Sequence, residues 1–280
     1  MRFMSRVRVL LSAAAAVVIA STCGPFHRSD HSPAGRSIRV VTYNIHAGHG
    51  DLARTADAIR ALSPDMVALQ EVDVHWSERS GFMDQVAALA SALGMEARFA
   101  PIYSLPNRDN SAVPREFGVA FLSRHRIVTW RNDTLTRLST QDSNAVPGRA
   151  PGLLEALVDV DGSRVRVLNT HLDYRADPSV RRTQAGEMAA EIARVGEPLI
   201  VFGDLNATPD APELAPLFAR LRDAWPRDSG PGYTYPADQP AKRIDYVLVS
   251  PHFNTVSARV PVSAASDHRP VVVDLILRRD

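Results

Sequence analysis

The sequence contains a single cysteine, few aromatic residues and no excess of charge of either sign. Because Cys23 is alone among 280 residues, no disulfide can form within the chain. The 32 lysines and arginines almost balance the 31 acids, so the chain lacks the basic excess on which sequence-independent nucleic-acid binding depends. Binding of nucleic acid through a local basic patch stays an open alternative. The composition is that of an ordinary globular protein, with length for one large domain or two small ones.

The N-terminal apolar run is too short to cross a bilayer. It covers residues 9–20 and is interrupted by Ser12, whereas a membrane span needs about 20 apolar residues. Arg2, Arg6 and Arg8 precede the run and small residues follow it, which is typical of a secretory signal peptide. We therefore expect residues 1–23 to be a signal peptide and the protein to be exported, either to the cell envelope or into the medium.

Two ways of processing this signal stay open. Cys23 follows the apolar run in the manner of a lipidated bacterial lipoprotein, although Thr22 is bulkier than the residue expected before such a cysteine. Cleavage after Ala20 would instead give a secreted protein. Residues 24–36, GPFHRSDHSPAGR, have turn formers without periodicity and are predicted to be a flexible tether. Without residues 1–23 the chain has 29 basic and 31 acidic residues, a net charge of −2.

Residues 37–280 have the pattern of one α/β domain. Helical periodicity marks one face through Leu52, Ala56, Ile59 and Leu62, and residues 159–164, DVDGSR, indicate a hairpin. Several of the apolar runs are continuous, as expected of strands that are covered on both faces. The predicted strands contain IRVVTYNI, DMVALQEV, FGVAFLS, LLEALVDV, RVRVLNTHL, PLIVFGDL, RIDYVLVS and PVVVDLIL. Mixed sheets with helices on the outside follow from this pattern.

Polar side chains recur at the ends of these strands. Each one alone is explained by turn or cap formation, because Asp and Asn favour turns. Glu71 is harder to explain in this way, since an unpaired carboxylate within a buried strand is costly. Ligand sites of layered α/β proteins lie where strands end, so the polar groups together could bind a hard cation and phosphate oxygens. The residues concerned are Asn44, His46, Glu71, His171, Asp204, Asn206, Asp245, Asp267 and His268.

Three short motifs carry a resemblance to a known family. LQE at residues 69–71, GDLN at 203–206 and SDH at 266–268 occur in this order. With them the chain resembles the endonuclease/exonuclease/phosphatase superfamily, which has the fold of deoxyribonuclease I, over residues 38–277. The resemblance implies a four-layer α/β sandwich, in which two packed mixed β-sheets are flanked by helices and the active site lies at one end.

The resemblance also implies a role for each matching residue. Glu71 would be the principal ligand of Mg²⁺, or of Mn²⁺, with Asn44 and Asp267 beside the metal. Asp204 would orient or deprotonate the attacking water. Other catalytic roles would fall to Asn206 and His171, which would contact the phosphoryl group, and to His268, which Asp245 would hold. His46 stands where apurinic endonucleases carry an acid, which argues for another branch of the family.

Substrate contacts are less well defined by the sequence. His46, Arg149 and Arg181 are predicted to bind substrate, and solvated surface arginines are the alternative explanation. The loop at residues 233–246 would either line the pocket through Lys242 or Arg243 or form a packed turn.

The expected activity is hydrolysis of a phosphodiester or phosphomonoester by direct attack of water, with no serine or cysteine nucleophile. Envelope location favours a phospholipid or sugar phosphate, and an extracellular nuclease is the alternative. A non-catalytic binding protein on the same fold is a further alternative, but it predicts loss of residues such as Glu71 or Asp204, and both are present. The sequence implies no protein partner, and a monomer is expected.

Overall fold

We analysed a computed structural model, which describes residues 35–107 and 112–278. The predicted signal peptide, Cys23 and most of the predicted tether lie outside the described residues. The description begins within the tether segment, where Gly35 and Arg36 already pair with the last strand as part of β1. None of the helices in these ranges is long and apolar enough to span a membrane.

Two six-stranded sheets form the centre of the protein. The first sheet has the order β11-β12-β1-β2-β4-β3, and the second has the order β5-β6-β7-β8-β10-β9. The strands are β1 (Gly35–Asn44), β2 (Met66–Val74), β3 (Glu96–Leu105), β4 (Arg115–Ser123), β5 (Arg126–Arg137), β6 (Gly148–Val160), β7 (Ser163–His171), β8 (Leu199–Asp204), β9 (Arg222–Asp223), β10 (Asp245–Val249), β11 (Phe253–Arg259) and β12 (Val271–Arg278).

Both sheets are mixed, with one parallel pair at the centre of each. β1 and β2 are parallel in the first sheet, as are β7 and β8 in the second, and all other neighbours are antiparallel. Asn44, Glu71, His171 and Asp204 lie at the carboxyl ends of these parallel pairs, whereas Asp245 begins β10 and Asp267 and His268 precede β12. The register places Asn44 opposite Gln70 in the first sheet and His171 opposite Asp204 in the second.

Helices cover the outer face of each sheet. The helices are α1 (Leu52–Leu62), α2 (Gln85–Leu93), α3 (Ser179–Ile192) and α4 (Ala215–Phe218), with short 3-10 helices at His46–Gly50, Glu78–Ser80 and Pro212–Leu214. α1 follows the predicted periodicity, since Ala56, Ile59 and Leu62 are buried on one face. The Asp51 side chain caps its first turn by accepting hydrogen bonds from the amides of Ala53 and Arg54.

Three apolar layers separate the helices and sheets. Alternate residues of one strand enter different layers, so Val40 packs between the sheets while Val41 packs under the helices of the first sheet. In the second sheet Phe202 lies between the sheets, and Val201 contacts the layer of α3. This arrangement confirms the predicted four-layer sandwich and explains why the central strands are apolar on both faces.

Candidate active site

Glu71 lies at an irregularity in β2. The register between β2 and β4 shifts between Leu69 and Val72, and Glu71 has a φ of 56° in the left-handed region. A bulge of this kind re-aims a side chain and is common beside active sites. Gln70 and Val72 on either side are fully buried, whereas Glu71 is half-buried and lines a cavity. The bulge therefore gives a carboxylate within an apolar strand access to small ligands.

The Asn44 side chain joins the two sheets. Its Nδ2 donates to Glu71 Oε1 at 3.0 Å and to Asp204 Oδ2 at 3.1 Å. Its Oδ1 accepts a hydrogen bond from the amide of His46 at 3.1 Å, which fixes the orientation of the amide group. Asn44 therefore places an amide donor between two carboxylates that would otherwise repel each other.

Asp204, Asp245 and His268 form a buried group at the end of the second sheet. Asp245 of β10 lies opposite Asp204 of β8 in the antiparallel register. His268 Nδ1 is 2.9 Å from Asp245 Oδ2, and His268 Nε2 is 3.7 Å from Asp204 Oδ2. The ring of Tyr235 covers the imidazole, with 4.8 Å between the ring centroids. The imidazole is thus held between two carboxylates and is shielded from water.

This environment changes the proton affinity of His268 and of Asp204. Burial lowers the pKa of His268, but the carboxylates of Asp245 and Asp204 outweigh burial and raise this pKa to about 10. Burial, followed by repulsion from Asp245, raises the pKa of Asp204 above its usual range. His268 is therefore a cation at neutral pH, and Asp204 is a stronger base than an exposed aspartate.

His171 and Asn206 complete the cluster. His171 ends β7, and its Nε2 lies 3.5 Å from Asp204 Oδ2 and 2.9 Å from Asn206 Nδ2. Asn206 also donates to the carbonyl of Leu172 at 3.1 Å and has a φ of 50°. Two polar side chains thus border the Asp204 carboxylate.

Asp267 and His46 lie at the rim of the cluster. Asp267 Oδ1 is 3.5 Å from His46 Nδ1, and both side chains are partly exposed. Ser266 links this rim to the centre, because its Oγ donates to the carbonyl of Asn44 at 2.7 Å. The cluster thus has a buried centre at Asp204 and a rim that solvent reaches.

The two predicted substrate-binding arginines do not contact the cluster. Arg149 pairs at 2.8 Å with Glu187, a residue of α3, and more than half of its side chain is exposed. Arg181 is buried, pairs with Glu213 at 2.7 Å and donates to the carbonyls of Asp173 and Arg175. Its Nε, Nη1 and Nη2 are all bonded within the protein, which a structural role explains.

The loop at residues 233–246 is packed against the protein through Arg243. Arg243 Nη1 donates to Asp223 Oδ2 at 2.6 Å, and the residue is buried. The same loop supplies Tyr235, which covers His268. Tyr235 is not predictable as a site residue from the sequence, because an aromatic residue in a loop has no distinguishing pattern.

A cavity of about 300 Å³ adjoins Glu71 and His171. Its other walls come from β3, β4, the end of β5 and the segment after β7, including Tyr103, Phe117, Arg137, Tyr174 and Arg175. A larger cleft of about 1250 Å³ lies beside β9 and contains none of the predicted catalytic residues. Because reacting groups line the smaller cavity, it is the better candidate for a substrate site.

Two groups of side chains suit a divalent cation. Ligand atoms of Asp204, Asp245 and His268 all lie within 4.8 Å of one another, and Asp245 Oδ1 is buried with no hydrogen-bond partner. A cation bound there would have to displace the proton of His268, because an imidazolium offers no lone pair to a metal. Glu71 lines the cavity, is supported by Asn44 and offers carboxylate oxygens, which Mg²⁺ prefers. The donor set at Glu71 therefore fits a hard cation.

Comparison with known proteins identifies relatives over most of the chain. The model of the Endonuclease/Exonuclease/phosphatase family matches residues 41–268. Protein YbhP of Escherichia coli (strain K12), which is uncharacterized, is 26% identical over 267 residues, covering 86% of this chain and 97% of YbhP.

Two solved structures are also similar. The endonuclease/exonuclease/phosphatase from Beutenbergia cavernae is 29% identical with a TM-score of 0.69, covering 87% of this chain and 72% of that one. The human Nocturnin catalytic domain with a bound sulfate anion is 24% identical with a TM-score of 0.66. The match covers 85% of this chain and 94% of the Nocturnin chain.

Proposed function

Because this chain belongs to the endonuclease/exonuclease/phosphatase family and is a metal-dependent hydrolase of phosphoric ester bonds, we propose that it is an exported, Mg²⁺-dependent phosphoesterase. It cleaves a phosphodiester or a phosphomonoester by direct attack of water. Phospholipids and sugar phosphates are its preferred class of substrate, and an extracellular nuclease is the alternative.

The contacts of Asn44 carry the proposed mechanism. One amide nitrogen lies 3.0 Å from the carboxylate that suits the cation and 3.1 Å from the carboxylate that suits a general base. Hydrolysis of a phosphoester needs these two functions at one phosphorus atom, since water is deprotonated while charge grows on the phosphoryl oxygens. The two sheets supply one function each, and Asn44 holds them together.

The protein's own groups then have distinct tasks. Asp204 accepts a proton from the attacking water, because burial has made it more basic. His268 donates a hydrogen bond to a phosphoryl oxygen as an imidazolium, which Asp245 holds in orientation. Asn206 and His171 are placed to bind the remaining oxygens or the leaving group. Mg²⁺ at Glu71 would offset negative charge on the phosphoryl group.

Water rather than a side chain is the proposed nucleophile. Ser266 bonds to the cluster, and its Oγ donates to the neutral carbonyl of Asn44 at 2.7 Å. Its contact with Asp267 Oδ1 is longer, at 3.2 Å, so the hydroxyl proton is held by the Asn44 carbonyl rather than by a base that would activate Ser266 for attack.

The cavity and the charge of the chain support a small substrate. A volume of about 300 Å³ accepts a ring-sized group, at the lower limit for ligand sites. The net charge of −2 after residue 23 disfavours non-specific binding of a polynucleotide. A panel of glycerophospholipids, sugar phosphates, mononucleotides, RNA and plasmid DNA tests this preference. Faster cleavage of DNA or RNA than of every lipid and sugar phosphate would favour the nuclease.

Hydrolysis of bis-p-nitrophenyl phosphate tests the activity itself. We expect release of p-nitrophenol with Mg²⁺, its loss in EDTA and its recovery when Mg²⁺ is restored. Parallel reactions with Mn²⁺ and Ca²⁺ define the metal preference. Equal background rates with Mg²⁺ and EDTA, from protein with an intact circular dichroism spectrum, would contradict the proposal.

Mass spectrometry of the mature N-terminus tests the proposed export. A diacylglyceryl group on Cys23 would mean anchoring to a membrane, and a free Ser21 would mean secretion. A chain that retains Met1 or its neighbours in fractionated cells would contradict export.

A further inference from the structure

Arg137 is a partly buried cation beside the cluster that the proposed mechanism does not use. It ends β5 and lines the cavity that also contains Glu71 and His171. Its Nη1 donates to the carbonyl of His171 at 2.9 Å, and its Nη2 donates to the carbonyl of Gly152 at 2.8 Å and to Thr170 Oγ1 at 3.1 Å. All three acceptors are neutral.

Among the described residues Arg137 forms no ion pair with a carboxylate, and Asp173 and Glu187 act on its charge only from a longer distance. The other arginine of the cavity wall does have an ion-pair partner, since Arg175 pairs with Asp173. Arg137 Nε is buried without any hydrogen-bond partner. Burial lowers the pKa of Arg137 to about 10, so the group still carries its charge at neutral pH. A desolvated charge without a counterion is unfavourable for the protein alone.

The backbone at Gly152 leaves space for this guanidinium. Gly152 has a φ of 116°, which residues with a Cβ rarely adopt. A Cβ at Gly152 would also lie 2.9 Å from Arg137 Nη2 and would collide with Ile102. Glycine therefore allows the close approach of Arg137 to the strand that accepts its hydrogen bond. The guanidinium of Arg137 thus has a defined place beside Gly152. A neutral donor side chain could satisfy the same three acceptors.

The aromatic wall of the cavity limits what can enter beside Arg137. The rings of Tyr103 and Phe117 are stacked at 6.3 Å, and Trp76 packs against both at 6.2 and 5.8 Å. Thr140 fixes Tyr103 by donating its backbone amide to the phenol oxygen at 2.9 Å. A rigid apolar wall with one cationic end suits a compact group that carries a negative charge away from the scissile phosphorus.

We propose that the cavity walled by Tyr103, Phe117 and Arg137 is a specificity subsite for a second anionic group, a carboxylate or phosphate, on the phosphoester substrate. This rests on the proposed function only in that the adjacent cluster binds the phosphoryl group. The subsite selects substrates with two anionic groups over those whose second group is neutral. Arg137 is a binding residue there and takes no part in bond cleavage.

A matched pair of inert ligands tests the subsite. 4-Carboxybenzylphosphonate and 4-carbamoylbenzylphosphonate have the same shape, differ in the charge of one group and cannot be hydrolysed at the C–P bond. Isothermal titration calorimetry with Mg²⁺ should show that the carboxylate binds about tenfold more tightly to the wild-type protein, as expected for one charge-assisted hydrogen bond. Equal affinities, no binding of either ligand, or tighter binding of the carboxamide would overturn the proposal.

Three variants separate binding from a structural role. Arg137→Gln should abolish the tenfold preference, whereas Arg137→Lys should retain part of it because the charge remains. Arg126→Gln is the control, since Arg126 begins the same strand at its other end, where it pairs with Asp159. If Arg137 were only a structural clamp, Arg137→Gln would weaken both ligands equally and the preference would persist. Should Arg137→Gln fail to fold, the wild-type comparison still decides.

Hydrolysis of bis-p-nitrophenyl phosphate, measured on the same preparations, separates the two proposals. Metal-dependent hydrolysis without any preference between the phosphonates would overturn the subsite alone. A tenfold preference without hydrolysis would overturn the proposed activity and leave the anion subsite standing.

Discussion

The two sheets share a pairing pattern but present their functional groups differently. In each sheet a central parallel pair is flanked on both sides by antiparallel strands. The first sheet ends in Glu71, which a bulge exposes to the cavity. The second ends in Asp204 and Asp245, which are almost completely buried. Two sheets with the same pairing pattern thus present one accessible carboxylate and one pair of buried carboxylates.

This difference in burial suits two chemical tasks. A cation must exchange with solvent, so its carboxylate has to be reachable. A general base gains from burial, because burial raises the pKa of Asp204 towards the pH at which it must accept a proton. In the proposed mechanism the first sheet therefore binds the cation and the second transfers the proton.

The largest expected effect is in the second sheet. Asp204→Asn should lower kcat by at least ~100-fold, because an amide cannot accept the proton of the attacking water. Its melting temperature should stay close to that of the wild type, since the replacement keeps the shape and removes a buried charge. Asp210→Asn, in the exposed loop beyond the strand, is the control and should leave kcat unchanged. Near-normal turnover in Asp204→Asn would remove this residue from the mechanism.

The corresponding change in the first sheet should act on the metal. Glu71→Gln should raise the Mg²⁺ concentration for half-maximal activity by about 10- to 100-fold, as expected when a ligand or its support is lost. Titration of activity with Mg²⁺ measures this shift, and Glu78→Gln, which alters an exposed residue nearby, is the control. If Glu71→Gln left the Mg²⁺ dependence unchanged while Asp245→Asn shifted it, the assignment of tasks to the sheets would be reversed.

Two asparagines in equivalent strands should separate stability from activity. Asn169 of β7 donates to the carbonyls of Leu69 and Ala120 and accepts from Gln70 at 2.8 Å, all in the other sheet. Asn169→Ala should cost about 2 kcal/mol of unfolding free energy, because buried polar groups lose their partners. Asn44→Ala should instead lower kcat with a smaller loss of stability. Urea denaturation and turnover, measured on both variants, test this contrast; parallel changes in both quantities would contradict it.

The smallest effect concerns the arginines predicted to bind substrate. Arg149→Gln should change the unfolding free energy by less than about 0.5 kcal/mol, because its ion pair with Glu187 is exposed. Arg181→Gln should cost several times as much, since it leaves the carboxylate of Glu213 buried and unpaired. A raised KM in Arg149→Gln at unchanged stability would support its predicted contact with substrate. An unchanged KM would make Arg149 a surface residue.

The strands that the sequence predicted are the inner ones. All eight predicted runs correspond to β1, β2, β4, β6, β7, β8, β10 and β12, whereas β3, β5, β9 and β11 are the edge strands of the two sheets. Inner strands are covered on both faces and are therefore continuous apolar runs. Edge strands such as β5 have few buried residues and carry charges, so their sequences resemble loops.

Two of the residues that line the cavity were also not predictable from the sequence, because they lie on edge strands. Tyr103 lies on β3 and Arg137 on β5, and both strands lack a periodic pattern. Asn169 shows the opposite case, because it follows an apolar run in the same manner as Asn44 but bonds across the buried interface between the sheets. Residue type and position at a strand end identify a polar side chain, but they do not reveal what it contacts.

By itself the sequence determined the layered α/β architecture, the eight inner strands and the acids, amides and imidazoles at their ends. These follow from local periodicity and from the cost of burying an unpaired polar group, and both act over a few residues. Only the tertiary structure decided that Asn44 bridges Glu71 and Asp204, that His268 is protonated between two carboxylates, and that Arg137 Nε is buried without a hydrogen-bond partner among the described residues. Those outcomes depend on distances between residues far apart along the chain, because electrostatic interactions and burial are set by the packed environment.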